Sequence, residues 1–209
     1  ELRRRLDRVP PGDEAGLLRA LRRFKYREFL RISARDLGGS GSLPEIAGEL
    51  SLLAEVTIDL ALERIAVDLA TRHGAPEHGA DRRGLGLAVL GMGKLGAGEL
   101  NYSSDVDLIL LYGAEGETAG GPEGRIANRV FYTRVAERLV RALSVVTEDG
   151  FVFRVDLDLR PEGRAGPIVQ SAESAFRYYE ARGRTWERAA LLKARAIAGD
   201  RALGEEWLG

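Results

Sequence analysis

Leu90–Tyr112 reads Leu-Gly-Met-Gly-Lys-Leu-Gly-Ala-Gly-Glu-Leu-Asn-Tyr-Ser-Ser-Asp-Val-Asp-Leu-Ile-Leu-Leu-Tyr, a glycine-rich turn running into an acidic strand. A short apolar run, Leu85 to Leu90, precedes it and reads as a buried strand. Gly91, Gly93 and Gly96 match the spacing of a dinucleotide-binding loop. That reading requires a crossover helix of roughly a dozen residues before the next parallel strand. Only Ala97 to Ser104 intervene, so the geometry excludes it. A P-loop is excluded as well, because Leu95 rather than serine or threonine follows Lys94 and the glycine spacing is wrong. Two readings stay open: a tight glycine turn with no ligand, or a shallow nest in which Lys94 and the N–H groups around Gly93 hold phosphate oxygens.

The strand Asp105 to Tyr112 decides what such a nest would serve. A side-chain period of two puts Asp105 and Asp107 on one face, at the mouth of a strand that is otherwise apolar. Two adjacent carboxylates repel and are poorly solvated there unless divalent cations sit between them. A third strand is expected over Phe151 to Leu159. Its residues Phe151, Phe153, Val155, Leu157 and Leu159 alternate with Arg154, Asp156, Asp158 and Arg160. Asp156 thus supplies a third acid, and three carboxylates on two strands suit a two-metal phosphoryl or nucleotidyl transfer site holding magnesium. The plain alternative is a solvated strand end.

The rest of the chain frames these motifs. Asp13 and Glu14 open a helix carrying Leu17, Leu18, Leu21, Phe24, Phe29 and Ile32, and Leu37 to Ser42 break it. A long helix is expected from Leu43 to His73, then a polar linker from His73 to Arg83 in which His73 and His78 read as surface residues. Glu123 to Val146 reads as an amphipathic helix. Ser171 and Thr185 are N-cap candidates for two final helices. The chain has 209 residues, 31 Lys+Arg against 32 Asp+Glu, and no cysteine. The charge balance argues against a nucleic-acid partner. The missing cysteines exclude disulfides and thiolate sites. No signal-peptide or membrane-spanning pattern is present, so a cytoplasmic protein without a membrane partner is expected. Both ends read as interior to a longer polypeptide.

The order of glycine loop, short spacer, Asp-x-Asp, amphipathic helix and single-acid strand resembles the nucleotidyltransferase fold shared with polymerase beta. The expected fold is therefore α+β with a mixed sheet: a helical N-terminal lobe and linker at 1–83, a catalytic core at 84–170 and trailing helices at 171–209. The likeness goes further. Leu90–Tyr112, Phe151–Gly163, the segment Thr185-Trp186-Glu187-Arg188 to Arg195, and the helix from Leu21 to Leu37 resemble the bifunctional glutamine synthetase adenylyltransferase/adenylyl-removing enzymes.

That resemblance implies Mg2+ or Mn2+ as cofactor, bound by Asp105, Asp107 and Asp156 as catalytic and metal residues. It implies phosphate or nucleotide contacts from Gly93, Lys94 and Ser104, and Arg160 either neutralising the transferred nucleotide or forming a structural ion pair. The partners implied are glutamine synthetase as protein substrate, inorganic phosphate and adenine nucleotide, with a PII-type signalling protein also in prospect. The Gly-Met-Gly-Lys wording resembles the half that removes AMP from glutamine synthetase by phosphorolysis. The alternatives are AMP transfer from ATP and a catalytically silent regulatory module. One departure stands out: Asp158 occupies a position where the family usually has arginine.

Overall fold

Side-chain caps set the N-terminal helices. The computed structural model describes residues 1–77 and 86–209. After a short helix α1 (Leu2–Leu6), the Asp13 carboxylate accepts the Gly16 N–H at 2.8 Å and starts α2 (Glu14–Leu37). Ser42 and Glu45 form a capping box, with proline in the first turn, and start α3 (Leu43–His73). Gly74 ends α3 at φ 76°, where a Cβ would also lie 2.5 Å from the backbone of Gly120. His78, most of the expected linker and the start of the expected strand at Leu85 lie outside the described residues.

Five strands follow: β1 (Leu87–Gly91), β2 (Val106–Tyr112), β3 (Val155–Asp156), β4 (Gln170–Ser171) and β5 (Arg195–Gly199). They form one mixed sheet in the order β3–β2–β1–β5, with β4 also pairing β2. β1 runs antiparallel to β2 and to β5. β3 and β4 lie parallel to β2 at its two ends, opposite Val106–Asp107 and Leu111–Tyr112 respectively. The parallel pairing of β2 with β3 is made possible by the crossover helix α5 (Asn128–Ser144). α4 (Gly93–Ala97), α6 (Ala172–Ala181), α7 (Thr185–Leu191) and α8 (Arg201–Leu208) complete the chain.

The sheet is covered on both faces, which explains its continuous apolar strands. Leu87, Val89, Leu108 and Leu110 belong to a cluster in which α3 and α5 lie against the sheet and α1 and α2 pack on those helices, whereas Leu90, Ile109 and Leu111 pack with Ala175 of α6 and Trp207 of α8. A single buried cluster runs from Leu2 through Leu62 to Ile197. The N-terminal helices are therefore the cover of the sheet rather than a body apart.

Several expectations change. The helix expected from Glu123 begins at Asn128. Gly120 and Gly124 take positive φ around Pro122, and residues 117–127 close a bridge from Glu117 to Ala127 instead. The strand expected over Phe151–Leu159 shrinks to Val155–Asp156. Val152 and Phe153 both donate to Leu143 O, so consecutive residues turn inward and the alternation is lost. Ser171 caps α6 as expected, accepting Ser174 N–H, but the cap of α7 is Arg184 rather than Thr185. The segment expected as trailing helices also supplies β5.

His73 is buried rather than on the surface: its ring lies 3.2 Å from Gly124 O and 2.9 Å from Arg134 Nη1. Arg22 is fully buried and donates to the carbonyls of Leu18, Ala142, Val145 and Gly150. Among the described residues no helix is long and apolar enough to cross a membrane.

Candidate active site

The glycine turn folds onto the acidic strand. β1 ends at Gly91, and the Met92 N–H bonds Asp107 O at 2.9 Å. Gly93 then adopts φ 52°, and a Cβ there would sit 3.1 Å from Asp107 Oδ2. Gly96 is more confined, since its Cβ would fall 2.0 Å from Lys193 O and 2.4 Å from Gly91 O. The turn is a single helical turn, α4, closed by Gly98 in the left-handed region. The exposed Lys94 and the half-buried Gly93 thus stand directly over Asp107.

Arg195 fixes that turn from behind. Its Nε donates to Gly96 O at 3.1 Å, Nη2 reaches Leu95 O at 3.4 Å, and the guanidinium forks onto Glu55 of α3 at 2.5 and 3.2 Å. β5, α3 and α4 meet at this one side chain. Downstream, the Ser51 hydroxyl accepts Leu100 N–H at 3.0 Å. Ser104 closes the loop, with its hydroxyl donating to Asn101 Oδ1 at 2.6 Å. Its expected contact with phosphate would require that bond to be exchanged.

The three acids have different surroundings. Asp107 is half-buried. Burial, then the charges of Asp156 and Asp105, push its carboxyl above the usual range, with Lys94 opposing them. Asp156 stands opposite Asp107 in the parallel register of β2 and β3, and its Oδ1 accepts Asp158 N–H at 2.7 Å. Asp105 is exposed and held by Arg154, at 2.5 Å from Nε, while Arg154 Nη2 bonds Ser103 O at 2.6 Å. With Asp105 so engaged, no three His, Cys, Asp or Glu side chains among the described residues converge on one metal position. The donor chemistry nonetheless suits a hard divalent cation. Asp107 and Asp156 offer carboxylate oxygens on facing strands, their like charges raise Asp107, and Lys94 is the one cation opposing them in that balance.

Arg160 lies elsewhere than expected. It leaves the strand, and its guanidinium donates to the carbonyls of Leu157, Gly166 and Pro167 at 2.9 to 3.1 Å, knitting the turn 157–167. This is a backbone clamp, neither an ion pair nor a group on the Asp156 face. Asp158 pairs with Arg164 at 2.8 Å, which holds its carboxyl below the usual range. Asp156 in turn helps keep Arg164 charged, so a guanidinium remains in this neighbourhood despite the acid at 158.

The structure therefore brings together Gly93, Lys94, Asp107 and Asp156, with Asp105 at their edge. Glu55 and Arg164 escaped the sequence reading, and Arg154 and Arg195 were named there only within a strand pattern and a family-like segment, with no role. A parallel pairing of β3 with β2 places residue 154 beside 105, so register was the signal for Arg154.

Comparison with known proteins follows the same lines. The family model for glutamate-ammonia ligase adenylyltransferase matches residues 1–209. The chain belongs to this family. A family relative from Thioalkalivibrio sulfidiphilus is 52% identical over 194 residues, covering 93% of this chain and 20% of the relative. One from Pseudomonas aeruginosa is 46% identical over 209 residues, 100% of this chain and 21% of the relative. One from Nitrosococcus oceani is 47% identical over 187 residues, 90% of this chain and 19% of the relative. Each is named a bifunctional glutamine synthetase adenylyltransferase/adenylyl-removing enzyme. The chain spans about a fifth of the length of these family members.

Proposed function

We propose that this chain is a nucleotidyltransferase-fold centre that removes AMP from adenylylated glutamine synthetase by phosphorolysis. The observation that carries the reading is the stacking of the Gly93–Lys94 turn on Asp107, with Asp156 facing Asp107 across the parallel strands. Inorganic phosphate attacks the AMP phosphorus, the bond from phosphorus to the tyrosine oxygen breaks, and ADP and free tyrosine result. Lys94 and the N–H groups of the turn hold phosphate oxygens. Asp107 and Asp156 are the metal-binding pair, and Asp105 joins them when Arg154 lets go. Mg2+ or Mn2+, when bound by these carboxylates, supplies charge neutralisation at the attacking and leaving oxygens. Arg154, released from Asp105, is placed to take up negative charge on the nucleotide. The cysteine-free composition suits a reaction in the reducing cytoplasm.

The test is product analysis with adenylylated glutamine synthetase, phosphate and magnesium. ADP formed only when phosphate is present supports the reading, and full activity in Asp105→Asn or Asp107→Asn sinks it. A second reading, AMP transfer from ATP to glutamine synthetase, is favoured by the relatives' names, which carry both activities. AMP incorporation without phosphate-dependent ADP would select it. A third, a regulatory module without catalysis, draws on the Arg154–Asp105 pair; failure to bind Mn2+ in calorimetry would select that one.

A further inference from the structure

A polar cavity of about 490 Å3 opens at the opposite end of β2 from Asp107. Tyr112, the last residue of β2, lines it, as does Ser171 of β4. Five residues of strand, roughly 17 Å at the rise of an extended chain, separate Tyr112 from Asp107. The volume falls in the range of small-molecule sites and far exceeds one water or one bare ion.

Its charges are unevenly satisfied. Three guanidiniums line the wall: Arg129 from the first turn of α5, Arg177 from α6, and Arg182 just beyond α6. Arg177 pairs with Glu173 one turn earlier. Arg129 and Arg182 form no ion pair among the described residues. Of the two lining acids, Glu115 accepts the buried Tyr112 hydroxyl at 2.5 Å. Glu162 is the other, and it is the sole non-glycine residue with positive φ (64°) among the described residues. Such a conformation costs on the order of 1 kcal/mol or more and persists only where the surroundings enforce it. The α6 N-terminus, capped by Ser171, adds its positive end to the same wall.

Arg129 and Arg182 ion-pair with neither Glu115 nor Glu162, and with the serines at the start of α6 they form a donor set for oxyanions on a concave wall. We propose that this cavity binds a small polyanion of metabolite size, a phosphate ester or a polycarboxylate, at a site separate from the carboxylate pair. The inference does not depend on the proposed reaction, because it rests on the wall alone.

Calorimetry on this chain with two probes, citrate and glucose 6-phosphate, tests it. At least one should bind saturably to the wild type and equally to Lys94→Gln, which disables the other anion-holding turn. Arg129→Gln/Arg182→Gln should weaken that binding roughly tenfold or more. Both side chains are exposed, and an unchanged melting temperature confirms the fold; Arg182→Gln alone, expected to weaken binding less, serves if the double variant fails to fold. Binding of citrate alone identifies a polycarboxylate, and binding of the sugar phosphate alone a phosphate ester. Binding of neither probe, binding lost in Lys94→Gln, or binding unchanged in the arginine variants overturns the proposal.

Discussion

The two ends of β2 carry opposite charge problems. At its start, Asp105, Asp107 and Asp156 gather, and burial, then the two neighbouring carboxylates, push the Asp107 carboxyl up. At its end, three arginines and two glutamates line one cavity, and two of the arginines form no ion pair among the described residues. The strand between them is buried almost throughout, fixes the register and fills the core on both faces of the sheet. A strand that serves two sites can therefore be tested by asking whether each end responds to its own ligand and not to the other's.

The largest effect is expected at the acidic end. Asp107→Asn should reduce phosphorolysis by about 10² to 10³-fold, comparable to loss of a major transition-state contact. The same variant should melt at a higher temperature without metal, because it removes a half-buried charge facing like charges. Activity loss combined with stabilisation marks a functional carboxylate, whereas destabilisation would mark a structural one. Both are read from kinetics and thermal melts of one preparation.

Next is the clamp behind the turn. Arg195→Met should cost roughly 1–3 kcal/mol, leaving Glu55 buried without its partner and the Leu95 and Gly96 carbonyls short of a donor. It should also raise the KM for phosphate more than it lowers kcat, because the turn loosens while the carboxylates stay. Equal effects on both constants would assign Arg195 to stability alone.

A smaller effect is expected from Arg154→Gln. Freeing Asp105 should tighten Mn2+ binding several-fold, up to about tenfold for a gain near 1.4 kcal/mol, in calorimetry or by electron paramagnetic resonance. Weaker Mn2+ binding would show that Arg154 orients Asp105 rather than competing for it. The smallest effect belongs to Asp158→Asn. The Asp158–Arg164 pair is exposed, so stability should stay unchanged. Nucleotide binding should tighten slightly, because an acid beside Asp156 is removed and Arg164 is set free; weaker binding would show that the pair itself shapes the site.

Much of this layout was legible in the chain. The caps at Asp13 and Ser42 and the break at Leu37–Ser42 are local signals, so α2 and α3 fell where expected. The glycine turn and Asp-x-Asp were legible because strand period and loop length exclude rival folds without tertiary knowledge. What escaped depended on partners distant in sequence. β5 is alanine-rich and pairs only because β1 offers an edge between α3 and α8. Phe151–Leu159 carries a strand pattern, but Leu143 O captures Val152 and Phe153 and breaks it. Arg160 sat on the right side of an imagined strand, and the real turn redirected it to three carbonyls. His73 looked like a surface residue, and the burial of Arg22 went unread, because burial of a polar side chain depends on acceptors far along the chain.

The central claim is tested most directly by supplying 32P-labelled inorganic phosphate with adenylylated glutamine synthetase and magnesium, then locating the label. The account predicts label in the β-phosphate of ADP, with free tyrosine restored on the substrate, and both reduced by about 10² to 10³-fold in Asp107→Asn. Label remaining in inorganic phosphate while AMP is neither removed nor added, or unlabelled AMP released by water, would contradict it.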